Sequence, residues 1–170
     1  VNGEGPLYQK GFGYMDVMVK KAYTDNTIQN IGSVSKTFIG IALMKAQELG
    51  KLKLDDPINN YLPFKVSNPY FPQDEITIRH LATHTSTIRD SKYYDKKAYV
   101  LKDDIPVDGI SGLYETLNPP SSKTSLLEFL SKILVIKGEY YMKKGFLKEL
   151  PGAKFEYSNI GATLAALVLE

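Results

Sequence analysis

Apolar residues crowd two stretches of this chain and alternate loosely in a third. From Thr37 to Leu49 they carry little charge at first (Phe38, Ile39, Ile41, Ala42, Leu43, Met44, Ala46), and Gly50 follows as a stop. Helix formers at that density predict a helix buried on most of its circumference. A second apolar run, Ile160 to Leu169, opens after Ser158-Asn159 as a cap and reaches Glu170 before any stop signal, and Val1 to Gly5 resembles a turn entering a strand, so both ends of the sequence read as cut ends. Leu7 to Val19 alternates, with Gly11 and Gly13 where an extended chain bends, which predicts a strand, a turn and a second short strand. Asp25-Asn26 reads as a turn, and Thr27 to Ile31 as an extended lead into the first apolar helix.

Between these stretches the punctuation is local. Asp56 can cap, and Pro57 open, a short helix to Tyr61 that Leu62-Pro63 ends. Residues 63–74 hold several prolines and read as loop, and Thr77 caps a helix from Ile78 to about Thr83. Ser91 to Ser122 is polar and irregular, with Tyr93, Tyr94, Tyr99, Tyr114 and Pro119-Pro120, so a long loop is expected, its tyrosines lining a cleft or packing on a core. Ser125-Leu126-Leu127-Glu128 is a capping box for an amphipathic helix ending near Gly138. Tyr140 to Leu150 is basic and weakly patterned, Pro151-Gly152 makes a turn, and Lys154 to Tyr157 is extended. There is no internal repeat.

Composition narrows the function classes. With 170 residues, 43% of them hydrophobic, the chain can bury a real core. Its 21 basic and 19 acidic residues are interspersed, for a net charge of +2, which leaves no electrostatic footprint for nucleic acid. The absence of cysteine removes disulfides, thiolate metal sites and a cysteine nucleophile. No run of about 18 apolar residues is present to span a membrane.

Candidate chemistry begins at Ser33 and Lys36, three residues apart at the mouth of the first apolar helix. Were Ser33 to begin that helix, Lys36 would lie one turn on along the same face, its amine in reach of the hydroxyl. The helix N-terminus would favour nearby negative charge. A nucleophilic serine needs both: a base for its proton and donors for the oxyanion it creates. The bare spacing arises by chance about once in a few hundred residues, and the alternative is a capped helix carrying a solvated lysine. His80 and His84, four apart on a predicted helix, have a metal-ligand spacing, but no glutamate follows His80 and no third ligand is evident, so packing or capping is the expected role.

Tyr157-Ser158-Asn159 is the second constellation. A tyrosine and an asparagine two apart at the end of an extended segment can point to one side together, although Asn159 could equally serve as a helix cap. Ser33-x-x-Lys36 together with Tyr157-x-Asn159 resembles the active-site elements of serine β-lactamases and penicillin-binding proteins. Further segments resemble the class C β-lactamase and esterase branch: Gly11-Phe12-Gly13-Tyr14, Ile31 to Phe38, Gly50 to Pro57, Tyr61-Leu62-Pro63, Ile76 to Leu81, Thr83-His84-Thr85-Ser86 and Phe155 to Asn159.

The resemblance implies an α/β (α+β) fold of the β-lactamase type, with an antiparallel sheet flanked by helices and an inserted helical domain. On that plan residues 1–52 would begin the α/β domain, 53–158 form the mostly helical insert, and 159–170 start the returning helix. It implies acyl transfer through an ester on Ser33, with Lys36 as hydrogen-bonded base, Tyr157 as a second acid or base, and Asn159 orienting Lys36 and a substrate amide. The Ser33 N–H would supply half of the oxyanion hole. Ester, β-lactam and D-amino-acid peptide substrates all fit, including small molecules and peptidoglycan-like ones, and no cofactor, metal or nucleic acid is implied. The family setting implies the periplasm, secretion or the cell envelope, and leaves the cytoplasm open.

Two departures from the family pattern stand out. Thr87 occupies the place of a usual glycine after His-Thr-Ser, and a β-branched residue resists the positive φ that glycine permits. The family's third element, a Lys-Thr-Gly or His-x-Gly strand, would lie beyond residue 170. The 1–170 piece alone is therefore expected to be nearly inactive, since losing one oxyanion donor reduces turnover by about 100-fold to 1000-fold. Another segment or chain would complete its sheet. The alternative function is a catalytically silent binding or scaffold protein of the same fold.

Overall fold

The computed structural model describes residues 3–101 and 117–170. They fall into two compact units, Val1–Ser35 and Lys36–Glu170.

In the first unit the loose alternation yields a two-stranded antiparallel sheet, β1 (Tyr14–Asp16) and β2 (Lys21–Ala22), with Tyr14 opposite Ala22 and Asp16 opposite Lys21. The pairing starts later than the expected strand from Leu7, because the chain reverses at residues 17–20, where Val17, Met18 and Val19 stand exposed. There the Asp16 carboxylate accepts from the Met18 and Val19 N–H groups at 2.9 and 3.2 Å, an Asx turn that reverses the chain. Gly11 passes so close to Tyr23 that any Cβ would collide with the Tyr23 carbonyl. After the Asp25-Asn26 turn, Asn30 Oδ1 accepts from Gly32 N–H at 2.6 Å and starts a single 3-10 turn, Gly32–Ser35.

The second unit holds five α-helices among the described residues: α1 (Lys36–Glu48), α2 (Ile78–Ala82), α3 (Lys92–Lys97), α4 (Leu126–Leu134) and α5 (Asn159–Leu169). Helix α5 has no charged side chain and is apolar on nearly every side, so it becomes the centre, with α1, α2 and α4 packed on it. Its Ile160, Leu164 and Leu167 meet Leu43 of α1, Ile78 and Leu81 of α2, and Leu130, Ile133 and Leu134 of α4 in one core.

Helix α1 departs from the expected burial. Only Leu43 is buried, with Ile39 and Ala46 packed beside it, whereas Phe38, Ile41 and Met44 are 66, 64 and 55% exposed. Positions 39, 43 and 46 follow one helical stripe and 38, 41 and 44 another. The first stripe meets the core, and the second turns to solvent.

The local signals hold with small shifts. Thr77 Oγ1 and His80 Nδ1 form a reciprocal capping box on α2, Ser125 caps α4, and Ser158 caps α5. Glu128 does not complete the expected box at α4, but pairs with Lys132 at 2.8 Å one turn on. Asp56 caps no helix. Its carboxylate accepts from Lys53 N–H and the Tyr61 hydroxyl, and the helix beyond Pro57 is one 3-10 turn, Ile58–Asn60. The expected loop from Ser91 contains α3, capped by Ser91, and a parallel bridge of Val100 to Asn118; Tyr114 lies outside the described residues.

Asn68, fully buried in the proline-rich loop, ties distant segments together. Its Nδ2 donates to Thr87 Oγ1 and to the Leu147 and Glu149 carbonyls at 3.0, 2.9 and 3.1 Å, and its Oδ1 accepts from Tyr70 N–H at 2.9 Å. Asn68→Ala would leave several buried polar groups unmatched. It is expected to reduce stability by about 3 kcal/mol and to lower Tm by roughly 6–12 °C in thermal melts. A Tm within about 2 °C of wild type would contradict this role for the amide.

Candidate active site

A loop with two residues in the left-handed region organises the site. His84 has φ 56° and Thr87 φ 68°, and between them the backbone reverses direction to face two other segments. Glu156 N–H donates to the His84 carbonyl at 2.8 Å, Gly152 N–H to Thr85 at 2.9 Å, and Leu147 N–H to Thr87 at 2.8 Å. Gly152 itself has φ 87° and lies against the His80 ring, where a Cβ would come within 3.0 Å of Nε2. The extended stretch that carries Tyr157 is thus held in place through its backbone.

Thr87 takes up the glycine-like conformation that its branched side chain resists. Such a residue costs on the order of 1–3 kcal/mol. Its buried hydroxyl accepts from Asn68 and its carbonyl from Leu147, so the surroundings hold it there.

His84 presents its ring to the same segment. The ring lies 4.6 Å from the Tyr157 ring, tilted by 35°, and 5.9 Å from Phe155 edge-on. Its Nδ1 accepts from Ser158 N–H at 3.2 Å, which puts the proton of the neutral ring on Nε2. Burial, followed by the charge of Lys36, holds the imidazole below its usual pKa, with Asp90 opposing. Lys36, the first residue of α1, places Nζ 5.3 Å from the centre of the Tyr157 ring. Lys36, His84 and Tyr157 are therefore brought together within the second unit, and Tyr157 stays 44% exposed to an approaching molecule.

Asn159 is the first residue of α5, and its Nδ2 donates to Asp90 Oδ2 at 2.7 Å. Asp90 Oδ1 accepts from the Ser158 hydroxyl at 3.2 Å and from Ile160 N–H at 2.9 Å. Ser33 lies in the 3-10 turn of the first unit, three residues before Lys36 in the chain. Neither histidine of the 80/84 pair joins a metal cluster among the described residues. Each Nδ1 instead accepts a backbone N–H, His80 from Thr77 at 3.2 Å and His84 from Ser158. The roles of His84 beside Tyr157 and of Asp90 beneath Asn159 were not among the sequence expectations. The His84-Thr85-Ser86 segment was a signal for the first; nothing local marks Asp90.

The histidine geometry carries a pH dependence. Because the folded ring resists protonation, the unfolded chain takes up its proton first as pH falls through about 6.5. Stability attached to the neutral ring is complete above that pH and is lost as pH falls from there toward the lowered folded value. Protonated Nδ1 also becomes a donor facing the Ser158 N–H. Tm is expected to fall between pH 7.5 and pH 5, and to fall less in His84→Asn, which tolerates positive φ. Equal slopes in thermal melts would remove His84 as a contributor; His80, shifted in the same sense by burial, supplies the remainder.

A family model described as Beta-lactamase matches residues 1–170. The chain belongs to the beta-lactamase family. This beta-lactamase-family chain is 26% identical over 208 residues to the human serine beta-lactamase-like protein LACTB, mitochondrial, covering 96% of this chain and 36% of that protein. It is 37% identical over 83 residues to the beta-lactamase of Escherichia coli (strain K12), covering 49% and 21%. Among solved structures, the octameric penicillin-binding protein homologue from Pyrococcus abyssi superposes with a TM-score of 0.57 at 25% identity, over 99% of this chain and 33% of that one. The fold is of the penicillin-binding protein and beta-lactamase type, here with a small antiparallel sheet and several helices. The chain spans about a third of the length of LACTB and of the Pyrococcus protein.

Proposed function

We propose that this member of a serine-hydrolase-like family forms an acyl-enzyme on Ser33, from an ester, a β-lactam or a D-amino-acid peptide. The observation that carries the reading is Lys36 Nζ at 5.3 Å from the Tyr157 ring, with Ser33 one SxxK spacing upstream. Ser33 Oγ attacks the substrate carbonyl while Lys36 or Tyr157 takes the hydroxyl proton. Collapse of the tetrahedral intermediate expels the leaving group, which takes up a proton from the same pair, and water then cleaves the Ser33 ester. Lys36 and Tyr157 act as a coupled pair, so the proton belongs to both. Asn159 orients Lys36 and a substrate amide.

A cleft of about 260 Å³ opens at Asp90, between residues 89–92 and 142–145, with Arg89, Lys92 and Lys144 in its wall. Lys36, Tyr157 and Asn159 do not line it, so the substrate class rests on the acyl-transfer chemistry alone. A peptidoglycan-like substrate would fit, and would place the protein in the cell envelope. The silent-scaffold alternative rests only in part on Thr87, and the positive φ of Thr87 weakens that part by keeping the loop glycine-like. The test is a panel of chromogenic esters, cephalosporins and D-amino-acid peptides given to the intact protein. Turnover of any class supports the reading, and none across all three, by a folded protein, overturns it.

A further inference from the structure

Resting on that acyl-transfer reading, we propose that Asp90 is a positioning residue that fixes the Asn159 amide with Nδ2 inward and Oδ1 as the atom presented to the site.

A carboxylate only accepts hydrogen bonds, so the atom of Asn159 that lies 2.7 Å from Asp90 Oδ2 must be the NH₂ nitrogen. The planar amide then has one orientation, and its other corner, Oδ1, is an acceptor. An acceptor at this place takes the Lys36 ammonium or a substrate N–H; an inverted amide would offer them a donor instead. The choice between productive and unproductive Asn159 is thereby made by Asp90.

Capping alone does not explain this contact. The orphan N–H groups opening α5 have the Ser158 hydroxyl, which accepts from Gly161 N–H at 2.9 Å. Asp90 adds an acceptor for Ile160 N–H and, with its second oxygen, the short bond to the Asn159 side chain. The carboxylate is itself immobilised from both flanks. Arg89 N–H donates to the Gly145 carbonyl at 2.9 Å while its guanidinium holds Glu156 at 3.1 Å, and Ser91 caps α3. A charge fixed this way at the N-terminus of an eleven-residue helix is also favoured by the helix dipole.

A swap of the two side chains tests the assignment in the intact protein, reading the rate of Ser33 modification by a fluorophosphonate against pH. In Asp90→Asn the side chain at position 90 can donate, the Asn159 amide can turn over, and modification is expected to slow about 10-fold to 100-fold. Asn159→Asp alone sets two carboxylates against each other and slows it at least as much. The double variant Asp90→Asn/Asn159→Asp restores a donor facing an acceptor and returns the rate to within about 10-fold of wild type. It also puts a carboxylate where the wild type presents an amide, which moves the rising limb of the pH profile to higher pH; loss of mere structural support would not shift that limb. In the wild-type protein, which needs no variant to fold, the Asn159 side-chain amide protons should exchange with solvent more slowly than those of an exposed asparagine.

Wild-type rate and profile in Asp90→Asn, a double variant no faster than the slower single one, or free exchange of the Asn159 amide would each overturn the proposal while leaving Ser33 as nucleophile. Absence of Ser33 modification in wild type is the separate failure of the reading beneath it, and removes both.

Discussion

Ser33→Ala is expected to lower acylation and turnover by at least about 10⁴-fold, leaving a folded protein whose melting temperature is within about 2 °C of wild type. The size follows from what is removed. On the proposed mechanism, lysine, tyrosine and oxyanion donors would stabilise a transition state that exists only once Oγ has added to the carbonyl, so without Oγ the remaining groups would have little to act on. The stability prediction follows from position: Ser33 lies exposed in a 3-10 turn and is no part of the core around α5. Single-turnover assays with a chromogenic ester, alongside melts, separate the two effects. A Ser33→Ala protein retaining more than a hundredth of wild-type turnover would place the nucleophile elsewhere.

Lys36→Arg has the second-largest expected effect, a loss of about 10²-fold to 10⁴-fold in the acylation rate. The substitution keeps a cation near the Tyr157 ring, where Lys36 Nζ lies 5.3 Å from the centroid. A guanidinium does not release its proton at any working pH, however, so the charge survives and the proposed base is lost. The pH–rate profile of the variant should lose its rising limb. If Lys36 serves only as a fixed charge, Lys36→Arg will retain most of the rate with its pH dependence unchanged, and Tyr157 would then carry the proton alone.

The parts of the fold that could be read from the sequence are those whose causes lie within a turn or two of the residue concerned. Thr77, Ser125 and Ser158 announce their helices because an N-cap satisfies a backbone N–H three residues on. The apolar run after Asn159 announces a buried helix because no face of it suits water. Helix α1 carries a similar signal and misleads, since apolar density shows that a helix can be covered without showing what covers it; Phe38, Ile41 and Met44 stand in solvent.

What the sequence hid was tertiary. Asn159 and Asp90 meet across 69 residues, and Asn68 reaches Leu147 across 79, distances at which no spacing rule operates. Thr87 shows the same limit from the other side. Its branching argues against positive φ, and the structure places it there because its Oγ1 and carbonyl have distant partners, Asn68 and Leu147. The candidate site was drawn from the Ser33–Lys36 and Tyr157–Asn159 patterns, and of these residues the structure brings Lys36 to the Tyr157 ring. The imidazole against Tyr157 and the carboxylate under Asn159 came only from the three-dimensional arrangement.

The most direct test of the central claim, a covalent intermediate on Ser33, is to mix the intact protein with a β-lactam or a fluorophosphonate, quench, digest and locate the adduct by mass spectrometry. The account predicts one added acyl or phosphonyl group, on the peptide containing Ser33, at Ser33 itself. An adduct confined to another residue, or none from a folded protein treated with both reagents, would contradict it.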